Sequence, residues 1–266
     1  MNWLNKAKIL VGVLSGIGLF ASCSSDTEEL LNESGTGFVS FSIQANTGFQ
    51  TTRAIDENDY ENVDNYTVQI WEDEDLFNEY TPGNIPSSLK LDAGTYTVKA
   101  FCGEDLAAST ESIYVVGESD VTLAAGETQT ATIVCTPVCA KVTVDFDKEL
   151  ATYFNDYSVS FQTKALDQMT YIWKKEYTDP VYLKVDDNES VTMNIELTNK
   201  EGKKVNQDYS HSLSPKQAFT LHVKPQVKEP GDTGLGIVIE IDEGTNEPTE
   251  IEIDIPSNWI DDTTNE

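Results

Sequence analysis

Basic residues are scarce in this chain. Seventeen Lys and Arg stand against 46 Asp and Glu, a net charge of −29 at pH 7. So acidic a surface repels nucleic acid and anionic head groups, which removes phosphate-binding functions. Histidine occurs only at 211 and 222, so histidine-dependent acid–base chemistry has few candidates. No GxSxG, HExxH, phosphate loop or dinucleotide fingerprint is present. Carboxylates are so abundant that no pair stands out as an acid–base couple. The expectation is a protein without catalysis, cofactor or metal, because catalysis needs a nucleophile, a base and an oxyanion site held together. Helical periodicity is almost missing, and no apolar run is long enough to span a bilayer; residues 9–20 come nearest.

Cysteine is also sparse: Cys23, Cys102, Cys135 and Cys139. An oxidising envelope permits one disulfide among the last three and leaves one thiol over. Zinc held by Cys135 and Cys139 with His211 or His222 is a competing arrangement without a CxxC pair to support it. Burial as small hydrophobes accounts for these cysteines more simply. The acidic clusters at 72–75 and 186–188 lack the Gly-centred spacing of a calcium loop and read as solvated turns.

What is present begins with an export signal. Lys6 and Lys8 precede the apolar run 9–20, and Ala21 and Ser22 precede Cys23, the layout of a secretory signal peptide over residues 1–22. Residues 19–23 resemble a bacterial lipobox, with Phe20 where leucine is usual. The resemblance implies that Cys23 is lipidated, and each buried methylene of its acyl chains adds about 0.8 kcal/mol to membrane attachment. An acidic tether follows at 23–36. It is similar to the stretch that sends many Bacteroidetes lipoproteins outward, which implies an outer-membrane anchor facing the cell exterior.

From Gly37 the apolar period is two. Val39, Phe41 and Ile43 alternate with polar residues, as do Tyr66, Val68 and Ile70, and Tyr96, Val98 and Ala100. Half-buried strands produce this pattern, and turn formers such as Pro82-Gly83-Asn84 separate them. The spacing predicts an all-β chain of two tandem antiparallel β-sandwiches, immunoglobulin-like or transthyretin-like, over 37–136 and 137–226. Residues 147–154 are the one stretch expected to be helical. A linker, a C-terminal β-hairpin and an acidic tail fill 227–266. A lone hairpin is not stable in water, so strands 237–241 and 251–255 must dock on the second module, pair with another chain or stay loose; docking is expected.

Three stretches carry a family resemblance: Thr52-Arg53-Ala54, the run 91–98 with Phe101-Cys102-Gly103, and the run 135–161 containing Lys141-Val142-Thr143-Val144. Together they resemble an uncharacterised two-module lipoprotein family of gut Bacteroidetes and, more distantly, the fimbrillin-like proteins. Fimbrillins are trimmed after an arginine near the mature start, so the resemblance implies cleavage after Arg53, loss of strand 39–43 and an opened acceptor groove. An uncut Arg53 in a loop is the plain alternative.

The leading expectation is a structural or adhesive cell-surface lipoprotein, an accessory of a fimbria-like assembly, with other surface or fimbrial proteins as partners. The alternative is a surface glycan-binding lipoprotein. Tyr171 and Trp173, two apart in a strand, share a side and would form a platform for sugar rings, with core packing as the competing role. Trp71 and Trp259 are further aromatic candidates. Thr263, in Asp262-Thr263-Thr264, resembles a short O-glycosylation motif of this lineage.

Overall fold

The alternating segments become strands because each has one apolar face to bury and one polar face to leave in water. A computed structural model describes residues 35–49, 55–227, 235–242 and 249–254, with the backbone alone at 227, 235 and 249–254. The first module contains β1 (Thr36–Ala45), β2 (Thr67–Glu72), β3 (Asp75–Tyr80), β4 (Leu89–Asp92), β5 (Gly94–Cys102), β6 (Ala108–Ser109), β7 (Val115–Leu123) and β8 (Thr128–Pro137). The second contains β9 (Cys139–Phe146), α1 (Leu150–Tyr153), β10 (Phe154–Gln162), β11 (Tyr171–Lys174), β12 (Val181–Lys184), β13 (Glu189–Asn199), β14 (Lys204–Leu213) and β15 (Ala218–Val227). The hairpin β16 (Leu235–Asp242) and β17 (Thr249–Asp254) follows. The fold is all-β. The expected helix shrinks to one turn, α1, anchored by buried Leu150.

The two modules repeat one topology. In the first, β3-β2-β5-β7 forms one half-sheet and β8-β1-β4 the other; in the second, β11-β10-β13-β14 faces β15-β9-β12 in the same order. Two pairings depart from the antiparallel rule. In each module the opening strand runs parallel to the closing one, β1 beside β8 and β9 beside β15. The first module's half-sheets join through two residue pairs between β7 and β8. Gly117 permits that approach, since a Cβ there would run into the Val134 carbonyl.

Each pair of half-sheets encloses its own core. Val68, Ile70, Val98 and Ala100 meet Val39, Leu91, Ala131 and Ile133 in the first module. Val159, Phe161, Met193 and Ile195 meet Val142, Val144, Leu221 and Val223 in the second. The hairpin belongs to the second: β16 pairs antiparallel with β15, and Ile237, Ile239 and Ile241 are buried in that core. Val138 alone separates β8 from β9, and the modules interlock there. Cys139 and Tyr182 pack into the first core, while β6 pairs with β12 through Ser109–Tyr182 and Ala108–Leu183.

Candidate binding sites

The β1 strand occupies a slot with a pairing partner on each side. It bonds parallel to β8 from Phe38 to Ala45 and antiparallel to β4 from Thr36 to Val39. Val39 is fully buried, and Phe41, Ile43 and Ala45 pack against the first core. The outward face carries Phe38, 46% exposed, and Ser40, whose hydroxyl lies 2.9 Å from that of Thr130. Beyond β1 the chain turns to the seam between modules. Phe49 lies against the Tyr182 ring, centroids 5.7 Å apart. Arg53 lies outside the described residues, and the chain is described again from Ile55, which is buried.

Glu57, on the 3-10 turn Glu57–Tyr60, carries a buried carboxylate at that seam. Its Oε1 accepts from the Lys141 ammonium at 2.8 Å and from the Tyr182 hydroxyl at 2.7 Å. The ammonium also stands 5.9 Å from the centroid of the Phe49 ring. Glu57 Oε2 has no hydrogen-bond partner. The first module's β1–β2 connection is thus tied to β9 and β12 of the second by a desolvated ion pair, whose value lies in specifying geometry more than in net stability.

The second candidate is a cavity of about 580 Å³ between the modules. One wall is Ala108, Ser109, Thr110 and Glu111; the other is β11 and the following turn, with Tyr171, Ile172, Glu176 and Tyr177, closed by Thr178 and Asp179. The β6–β12 pairing fixes the walls, and the Lys184–Asp105 ion pair at 2.6 Å adds to the hold. Tyr177 is 43% exposed and Ile172 48%. Burial, and then the neighbouring Tyr177, push the Tyr171 phenol up, so Tyr171 stays a hydrogen-bond donor at neutral pH.

Trp173 corrects the proposed sugar platform. It shares a strand face with Tyr171, but its exposure is 0% and it lies in the second core, with Nε1 lacking a hydrogen-bond partner. A platform residue must offer a ring face to water, and Trp173 offers none. Its ring instead supports Tyr177 edge-on, centroids 6.4 Å apart. Tyr177, in a turn without periodicity, is the residue that sequence reasoning missed. Trp71 is half-buried on β2 and donates from Nε1 to Gln69 Oε1 at 3.3 Å.

Cys102, Cys135 and Cys139 are free thiols. Burial pushes Cys135 and Cys139 up to about 12 and raises Cys102 as well. His222 Nδ1 lies 3.0 Å from Asp145 Oδ2, and His211 stacks on Phe219. No three His, Cys, Asp or Glu side chains group as metal ligands among the described residues. Among the described residues no helix is long and apolar enough to cross a membrane. Cys23, Trp259 and Thr263 lie outside the described residues.

The profile of a family described as a domain of unknown function, DUF4493, matches residues 35–257, across both modules and the hairpin. The chain belongs to the DUF4493 family. Comparison with curated proteins finds no match for this DUF4493 chain. Among solved structures it is similar to a candidate polysaccharide-binding protein of Bacteroides thetaiotaomicron, at 13% identity and TM-score 0.43, covering 76% of this chain and 95% of that one. It is similar to a candidate cell-adhesion protein of Bacteroides eggerthii at 13% identity and TM-score 0.42, covering 84% and 96%. The major pilin of Streptococcus pyogenes is more remote, at 9% identity and TM-score 0.20, covering 71% and 97%.

Proposed function

We propose that this DUF4493 chain is a non-catalytic structural or adhesive lipoprotein of the cell surface, anchored in the outer membrane through Cys23, whose first module is completed by an exchangeable strand. The observation that carries this reading is the seating of β1. One terminal strand serves the edges of both β8 and β4 and supplies Val39, Phe41 and Ile43 to the core. Withdrawing it leaves two open strand edges and an apolar slot, and such edges capture an equivalent strand from another chain. Cleavage after Arg53 is the release step in this reading, and Thr263 is the glycan acceptor of the tail.

Two experiments test it. Cutting the purified mature protein with an arginine-specific protease and removing the freed segment should leave a slot that takes up an added peptide of residues 36–45, and Arg53→Ala should remain uncut and take up none. A cut protein that keeps β1 and takes up no peptide refutes strand exchange. Protease treatment of intact cells should digest the wild type, and Cys23→Ala should be released or mislocated. Protection until lysis would move the modules to the periplasm. The glycan-binding alternative draws support from a different feature, the cavity between the modules.

A further inference from the structure

The cavity between the modules combines features that narrow its ligand. The polar side chains on its walls carry oxygen only: hydroxyls on Ser109, Thr110, Thr178 and the two tyrosines, and carboxylates on Glu111, Glu176 and Asp179, without lysine or arginine. None of these three carboxylates has an ion-pair partner among the described residues, whereas eight other acidic side chains there are paired with Lys or His. Such a lining accepts hydrogen bonds and repels anions. The apolar part is Tyr171, Ile172 and Tyr177, with Tyr177 braced by buried Trp173. A ring offered to solvent on a rigid support is a low-entropy contact for a flat apolar surface. A volume of about 580 Å³ falls in the ordinary range for small-ligand sites, roughly 300–1,000 Å³.

A ligand matching this lining presents many hydroxyl donors, at least one face of C–H groups for a phenol ring, and no negative charge. We propose that the cavity between the modules is a binding site for an uncharged carbohydrate chain, with Tyr177 as the stacking face and Glu176 and Asp179 as acceptors for sugar hydroxyls. Uronic-acid and sulfated chains are turned away by the carboxylates. The walls come from different modules and are held by β6–β12 pairing, so the site exists only in the two-module protein. It is independent of β1 exchange, although it adds a ligand to the adhesive reading above.

The test uses the mature two-module protein in affinity electrophoresis through gels holding a β-glucan, a galactomannan, a xylan, polygalacturonate or no polysaccharide, with poly-L-lysine binding measured alongside. The expected result is retardation by at least one uncharged polysaccharide and none by polygalacturonate. Tyr177→Ala should weaken that retention about tenfold. Glu176→Gln should weaken it severalfold, and the distant Trp71→Ala should leave it unchanged. Equal retention by Tyr177→Ala overturns the proposal, as does migration unaffected by all three uncharged chains or capture of poly-L-lysine alone. Circular dichroism confirms that each variant is folded. Arginine-specific cleavage assayed on the same preparations separates loss of this site from loss of strand exchange.

Discussion

Replacing Lys141 by methionine keeps an aliphatic stem of similar length and removes the charge opposite Glu57. Glu57 is 2% exposed, and its Oε2 already lacks a partner. After the change Glu57 keeps the Tyr182 hydroxyl at 2.7 Å but loses its counter-ion. Breaking one side of a buried pair costs about 3–5 kcal/mol, because an uncompensated charge remains in a poorly hydrated site. The retained hydroxyl places the expected loss at the lower end, about 3 kcal/mol. Adding Glu57→Gln to Lys141→Met removes the stranded charge and should recover most of that loss. Urea unfolding followed by circular dichroism measures both. A second signature comes from position: Glu57 belongs to the first module and Lys141 to the second. The single variant should therefore unfold in two steps where the wild type unfolds in one. A loss under about 1 kcal/mol for Lys141→Met, or a double variant as unstable as the single, refutes the view that this pair specifies the seam.

Other predictions follow from the cores and thiols. Ile239→Ala, on β16, should destabilise the second module by about 2–5 kcal/mol in the same urea assay, since Ile239 is fully buried. Trp173→Phe should cost stability and, by trimming the brace under Tyr177, weaken polysaccharide retention less than Tyr177→Ala does, separating a supporting ring from a stacking one. At pH 8 iodoacetamide should label half-exposed Cys102 far faster than Cys135 or Cys139, with all three reacting after unfolding, because the thiolate is the nucleophile and burial holds the two buried thiols protonated. Burial that raises Cys135 and Cys139 from 9.0 to about 12 also contributes to the alkaline limit. Below pH 9 folded and unfolded thiols are alike protonated, so their contribution is fully present. Above it the unfolded state sheds protons that the native state retains, and stability should fall toward pH 12, less steeply in Cys135→Ala.

The sequence displayed strands wherever burial is one-sided. Val68 and Ile70 in β2 and Val98 and Ala100 in β5 alternate legibly because each faces a core. The polar strand β14 left no such trace: nearly every residue from Lys204 to Ser212 is exposed or half-buried, and only its pairing with β13 makes it a strand. Parallel pairing was also invisible, since side chains alternate alike in either direction. Periodicity put Tyr171 and Trp173 on one face correctly, but which face meets the core depends on the opposing sheet. Glu57 and Lys141 lie 84 residues apart, and no local pattern announces a contact of that range. The cavity falls under the same limit, because its walls come from separate modules.

The parallel pairing of opening and closing strands bears on how the chain is made. Ser40 meets Thr130 from 90 residues away, and β9 likewise waits for β15. Contacts so distant in sequence form late and slowly. While the chain emerges from a ribosome or an export channel, β1 has no β8 to bond, and the first sandwich cannot close. The second module waits longer still, because its core also needs Ile237, Ile239 and Ile241 from β16. A chain cut short before residue 235 is left with a bare strand edge on β15 and a gap in its core. The hairpin thus closes the second module, which stays unsealed until β16 has been made and has paired with β15.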